Sequence, residues 1–184
     1  PAARKSHSSV VANGYVYVTN NNTNDVSVIN GTQIIARVPV GDGPLDIVYN
    51  VSNGRIYVAN ENSDNVSVIY GLKKEMDIPV GNRPVNLAYN PKNGYLYVTD
   101  SISDTVSVID GPTVIATLPV GNHPSVVIAN TKTDSPNYGD VYVTNLLGNS
   151  VTIIGGENGA TVVGTLPTDL RPTDITFNER TGYV

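Results

Sequence analysis

Few side chains in this sequence are equipped for covalent or metal chemistry. Two histidines, His7 and His123, lie far apart, and there is no cysteine. The lack of thiols excludes cysteine nucleophiles, zinc-thiolate sites and iron-sulfur ligation. Two isolated histidines make no metal-ligand set, and neither stands at a spacing that marks a pair with a carboxylate base. No glycine-rich phosphate loop sits between a strand and a helix. The expectation is therefore no catalytic residue, no bound metal and no cofactor.

Polar residues at recurrent places are the remaining candidates. Four links end in a residue that precedes proline: Gly43, Arg83, His123 and Arg171. Arg83 and Arg171 are cationic and His123 can become so, although its charge at pH 7 cannot be assumed from an ordinary imidazole. As a ring at one mouth of a channel, Arg83, His123 and Arg171 could hold a carboxylate, a sulfate or an acidic glycan. Two residues beyond the same prolines stand Asp46, Asn86, Val126 and Asp174. Asp46, Asn86 and Asp174 are candidate channel-lining residues, with oxygens suited to water or a hard cation. Val126 breaks the symmetry of a metal ring, so hydrogen-bonded water is the simpler occupant. Solvated loop residues are the plain alternative for the first set.

These positions recur because the chain repeats. Tyr17-Val18-Thr19-Asn20, Tyr57-Val58-Ala59-Asn60, Tyr97-Val98-Thr99-Asp100 and Tyr142-Val143-Thr144-Asn145 share one motif, and Val26-Ser27-Val28-Ile29 recurs at 66 and 106 and, as Val151-Thr152-Ile153-Ile154, in the last unit. Pro-Val-Gly tripeptides at 39, 79 and 119 keep the step. A period near 40 residues belongs to propeller blades or to helical arrays. The short alternating runs, rich in β-branched residues and tyrosine, select strands. Asn/Asp-rich turns such as Asn20 to Asp25 read as self-capping connections between strands rather than calcium loops. Each unit adds a third strand, for example Gln33 to Val38, and a strand after the proline, for example Leu45 to Tyr49. Asn-Gly pairs at Asn53-Gly54 and Asn93-Gly94 suit tight hairpins.

The expected fold is all-β: a β-propeller of four-stranded blades about 40 residues long, with four complete repeats plus the start of a fifth. A tail of residues 1–7 precedes blades at about 8–38, 45–78, 85–118 and 125–166, and a partial blade at 173–184. Thr173 to Phe177 is expected to be the fifth inner strand, with Gly182-Tyr183-Val184 beginning the next. The tyrosines Tyr17, Tyr57, Tyr97 and Tyr142 are expected to pack between sheets.

The Tyr-Val-(Thr/Ala)-(Asn/Asp) motifs, the Val-(Ser/Thr)-(Val/Ile)-Ile strands and the Pro-Val-Gly-x-x-Pro links resemble the YVTN-repeat β-propeller family over about residues 8 to 184. That resemblance implies an extracellular or cell-surface module akin to archaeal and bacterial surface-layer and secreted propellers. Some related propellers are enzymes, so it also leaves a lactonase- or lyase-type reading with a polar axial site as the alternative.

Composition narrows the partners. A net charge of −5, with 11 scattered basic residues among 184, argues against nucleic acid. No apolar run approaches 20 residues, so no membrane span is expected. The reading is a non-catalytic propeller for structural assembly, or for protein or acidic-glycan interaction, with self-association through the incomplete terminal blade as a further expectation.

Overall fold

The computed structural model describes residues 8–155, 158–178 and 180–181. The tail at residues 1–7 and the strand start expected at Gly182 to Val184 lie outside them. The described residues contain 16 strands and no helix. The first sheet holds β1 (Ser9–Ala12), β2 (Tyr15–Asn20), β3 (Asp25–Asn30) and β4 (Gln33–Pro39). The second holds β5 (Pro44–Asn50), β6 (Arg55–Asn60), β7 (Asn65–Tyr70) and β8 (Lys73–Pro79). The third holds β9 (Pro84–Tyr89), β10 (Leu96–Asp100), β11 (Thr105–Asp110) and β12 (Thr113–Pro119). The fourth holds β13 (Pro124–Ala129), β14 (Val141–Asn145), β15 (Ser150–Gly155) and β16 (Thr161–Pro167). Each is an antiparallel sheet in chain order, the arrangement of a propeller blade.

One part of the sequence reading is corrected here. Thr173 to Phe177 forms no strand, and the described residues show no fifth sheet. An isolated inner strand has no neighbour to complete a hydrogen-bond ladder, and alternation alone does not supply one.

Packing between blades explains why both faces of each sheet are apolar. Tyr17, Val26, Val28 and Val38 of the first blade meet Ile47, Ile56, Val58 and Ile69 of the second. The same contact is repeated by Tyr57, Val66 and Val68 against Leu87, Leu96 and Val98, then by Tyr97, Val106 and Val108 against Val127, Val141 and Val143. Burial of these rows is the main driving force for stacking. Each tyrosine also carries a polar handle across the junction. The hydroxyls of Tyr17, Tyr57 and Tyr97 donate to the carbonyls of Gly71, Gly111 and Gly159 in the outer hairpin of the following blade.

A second contact locks each link. The last residue of the tyrosine motif is buried in the second, third and fourth blades: the Nδ2 of Asn60 donates to Ser67 Oγ at 2.9 Å and to Asn65 Oδ1 at 2.7 Å. Asn20 and Asn145 use their amides in the same way. In the third blade the position is Asp100, whose Oδ2 instead accepts from Ser107 Oγ at 2.7 Å and Thr105 Oγ1 at 3.1 Å. The glycine of each Pro-Val-Gly link lies against this residue. A Cβ on Gly81 would fall 2.7 Å from Asp100, and one on Gly121 would fall 2.6 Å from Asn145. Glycine is required there by close approach.

Burial pushes the Asp100 carboxyl up to about 6, against the hydrogen bonds that favour its ionised form. A carboxyl that binds its proton more tightly when folded stabilises the protein below the unfolded value near 4, and that contribution is lost as pH rises through about 6. Asp100→Asn, which restores the residue of the other three motifs, is expected to raise stability at pH 7.5 by about 1–3 kcal/mol and to flatten the dependence between about pH 4 and 6. Urea denaturation at pH 4.5 and 7.5 measures both. Gly81→Ala is expected to cost about 1–3 kcal/mol by overpacking. Gly164→Ala is the control, because nothing lies within 4 Å of its added carbon; thermal melts of the two variants give the comparison.

Candidate functional site

The links that join blades converge on one cavity of about 520 Å³, to which all four blades contribute. Its geometry begins in the turns between the second and third strands of each blade. Asn24, Asp64, Asp104 and Asn149 adopt left-handed backbone conformations in these turns. Each then grips the following link twice. The carbonyls of Asn24, Asp64 and Asp104 accept from the amides of Val40, Val80 and Val120. Their Oδ1 atoms accept from the amides of Gly43, Arg83 and His123 at 3.1, 2.8 and 2.7 Å.

The gripped residues are left-handed themselves, with φ of 63° at Arg83 and 55° at His123, where glycine stands in the first link as Gly43. For a side chain with a Cβ that conformation costs about 1–2 kcal/mol. The charge-assisted hydrogen bond from its own amide to the Asp64 or Asp104 carboxylate offsets part of this. The result is a bulky polar side chain held at the mouth of the cavity on a fixed backbone.

Arg83 and His123 both line the cavity. Arg171 holds the same turn, with φ 57° and its amide on Asn149 Oδ1 at 2.9 Å, but its exposed side chain is outside the lining. The link brings Thr173 to the cavity instead. The Arg83 guanidinium does not stand alone: its Nε donates to Oε1 of Glu61 at 2.6 Å. Glu61 belongs to the preceding blade and is only 6% exposed, so the ion pair crosses a junction. The sequence reading missed Glu61 because its equivalents, Asn21, Ser101 and Leu146, share no chemistry with it. The gripping residues were also missed, although Asn24, Asp64 and Asp104 recur at the repeat step.

Asp46 and Asn86 line the cavity as neighbours on adjacent inner strands. Asp46 Oδ2 accepts from Asn86 Nδ2 at 2.7 Å and from the Leu87 amide at 2.8 Å, while Oδ1 accepts from Ser8 Oγ at 2.8 Å. Asn86 Oδ1 in turn accepts from the Val127 amide at 2.9 Å. The oxygens thus bind sideways, blade to blade. Asp174 is not brought to this row: it is exposed, and its Oδ1 accepts from the amide of Ile175. The Val126 side chain carries no acceptor with which to continue this row. Among the described residues no three His, Asp or Glu side chains gather in a group able to hold a metal ion.

The cavity therefore presents two carboxylates, one paired guanidinium, an imidazole, an amide and the hydroxyls of Ser8, Ser101 and Ser125. Such a surface can exchange hydrogen bonds in both directions with a neutral polar ligand. Its balance of charge does not make a cationic ring.

Neither a family model nor a curated protein matches the chain. Solved structures do. The chain is similar to hydrazine synthase of Kuenenia stuttgartiensis, with 19% identity and a TM-score of 0.74 over 90% of this chain and 50% of that one. It is similar to a catalytically inactive virginiamycin B lyase of Staphylococcus aureus determined with quinupristin, with 15% identity, a TM-score of 0.74, and coverage of 90% and 56%. The WD40 β-propeller domain of Doa1 aligns at 10% identity and a TM-score of 0.72, covering 94% and 57%. The chain spans about half the length of these structures. Likeness at such identity carries the fold alone: this chain is built as a β-propeller.

Proposed function

We propose that this chain is a non-catalytic recognition module of the YVTN-repeat type, working at the cell surface or outside the cell, and that its axial cavity binds a neutral saccharide. The observation that carries the reading is the Glu61–Arg83 pair set beside Asp46, Asn86 and the serine hydroxyls. Carboxylate, amide and hydroxyl groups match the alternating donors and acceptors of a sugar ring. Two carboxylates against one guanidinium disfavour the acidic glycan that a ring of Arg83, His123 and Arg171 would have taken. The hydrogen bonds of Asp46 and Asn86 to the neighbouring strands hold both side chains in fixed orientations at the cavity, which limits the ordering cost of binding. A propeller surface also presents protein-binding loops, and the rim around His123 and Leu146 is available for them.

The test is calorimetric titration with a panel of neutral and uronate-containing oligosaccharides. Tighter binding of the neutral members is expected. Glu61→Gln should weaken that binding about tenfold, the loss of roughly one charge-assisted hydrogen bond. Preference for the uronates would overturn the neutral reading. Cleavage or elimination of the bound sugar, followed by NMR, would overturn the non-catalytic one and favour a lyase-type propeller.

A further inference from the structure

Near its outer rim, the junction between the second and third blades differs from those on either side. Strand register sets Ala36 opposite Val28, Met76 opposite Val68 and Ala116 opposite Val108, so these are equivalent places in three blades. In the first and third blades that alanine is joined by Tyr15 or Tyr95, and both pack against the buried core of their junction. The second blade has Arg55 in place of the tyrosine, Met76 in place of the alanine, and Glu75 where Ile35 and Ile115 stand. Tyr70, where the flanking blades have Asn30 and Asp110, lies with its ring centre 5.6 Å from the Arg55 guanidinium. An ion pair as open to solvent as Arg55–Glu75, with 39% and 34% of the side chains exposed, adds little to stability. Tyrosine at this place covers the core in the flanking blades, so stability gives no reason for the exchange.

The exchange comes with a cavity of about 250 Å³ that shares no lining residue with the axial one. The buried Tyr57 and Val68 lie at its depth, the half-exposed Met76 and Pro112 of the following blade form its walls, and Arg55 and Glu75 stand at its mouth. The charged pair is joined firmly at one point. Arg55 Nε donates to Glu75 Oε2 at 2.6 Å, whereas Nη2 reaches Oε1 at 3.5 Å and Nη1 reaches the Asn53 carbonyl at 3.5 Å. The outer nitrogens and Oε1 thus hold only long bonds, and shorter ones to a ligand can replace them while the Nε bond stands. Opposite charges side by side over an apolar pocket restrict what fits there. A ligand with a single charge meets its like as well as its opposite, whereas a zwitterion offers each group an opposite charge.

We propose that this peripheral pocket binds a free aromatic α-amino acid. The outer nitrogens of Arg55 take its carboxylate, for which the planar guanidinium is shaped, and Oε1 of Glu75 accepts from its ammonium. The ring enters between Val68, Met76 and Pro112, supplying from outside the aromatic group that Tyr15 and Tyr95 supply in the flanking junctions. The Met76 thioether adds a sulfur–aromatic contact. Tyr70 stacks on the guanidinium and holds it in place before the ligand arrives. All the lining residues belong to the second and third blades, and the binding is independent of what the axial cavity takes.

Met76 is the single methionine of the chain, so its methyl resonance reports on this pocket alone. Titration of methionine-methyl-labelled protein with L-phenylalanine into the millimolar range is expected to move that resonance to saturation; a resonance that stays in place overturns the proposal. N-acetyl-L-phenylalanine and L-phenylalaninamide each lack one charge and are expected to bind about tenfold more weakly, the loss of one charge-assisted hydrogen bond. Equal binding of all three overturns the recognition of a zwitterion. Arg55→Tyr/Glu75→Ile installs the residues of the flanking blades, and calorimetry is expected to show no phenylalanine binding by a protein that melts no lower than the parent. Unchanged affinity in that variant puts the ligand elsewhere and overturns the site. Should the double variant fail to fold, Glu75→Gln alters only a partly exposed side chain and is expected to weaken phenylalanine about tenfold, with unchanged affinity again the overturning result.

Discussion

A sheet of four short strands with apolar side chains on both faces is unstable unless each face is covered, and every other feature of this protein answers that constraint. Stacking blades about an axis covers both faces with one kind of contact, used again at each junction. Tyr17, Tyr57 and Tyr97 are the largest fully buried side chains, and their hydroxyls avoid burial without a partner by reaching a carbonyl of the next blade. Because the hydroxyl reaches a fixed carbonyl, the contact sets the offset between neighbouring blades as well as their adhesion.

The tyrosine motif can now be understood residue by residue. Tyrosine bridges two blades, and the valine after it packs on the blade behind, as Val58 and Val98 do. Threonine turns its hydroxyl toward the axis, where Thr19 and Thr99 donate to Leu45 and Ser125 carbonyls of the following inner strand. Asparagine closes the turn, holds the serine of the third strand and forms the floor under the link glycine. Ala59 shows that the threonine contact is dispensable. The asparagine chemistry is kept in three motifs of four, with Asp100 as the exception that titrates.

The fold was legible because four copies in one register average out local ambiguity: strand, turn and link recur in fixed order, and only a small sheet covered on both sides suits them. Thr173 to Phe177 was misread for the same reason. Its sequence has the pattern of an inner strand, but a strand is a pairing, and no periodicity within one segment reveals whether a partner exists. The candidate site was less legible. Arg83 and His123 were found through their place before proline, which the repeat fixes. The state of the Arg83 charge was not, since it depends on Glu61, a residue peculiar to one blade and 22 positions away.

That contrast bears on where function resides in a repeated frame. Positions that hold the blades together keep their chemistry from unit to unit, while the mouth positions differ in each: Gly43, Arg83, His123 and Arg171 before proline, and Asn21, Glu61, Ser101 and Leu146 after the motif. The pre-proline backbone is left-handed in all four links. Glycine would satisfy it at least cost, and the first link uses glycine. Three links instead accept about 1–2 kcal/mol each to place a large polar side chain there, with an Asn or Asp carbonyl oxygen or carboxylate holding the amide in position. Stability alone gives no reason for those side chains. A constraint on what stands at the mouth does, and Arg83 and His123 are the two that the fold turns into the cavity.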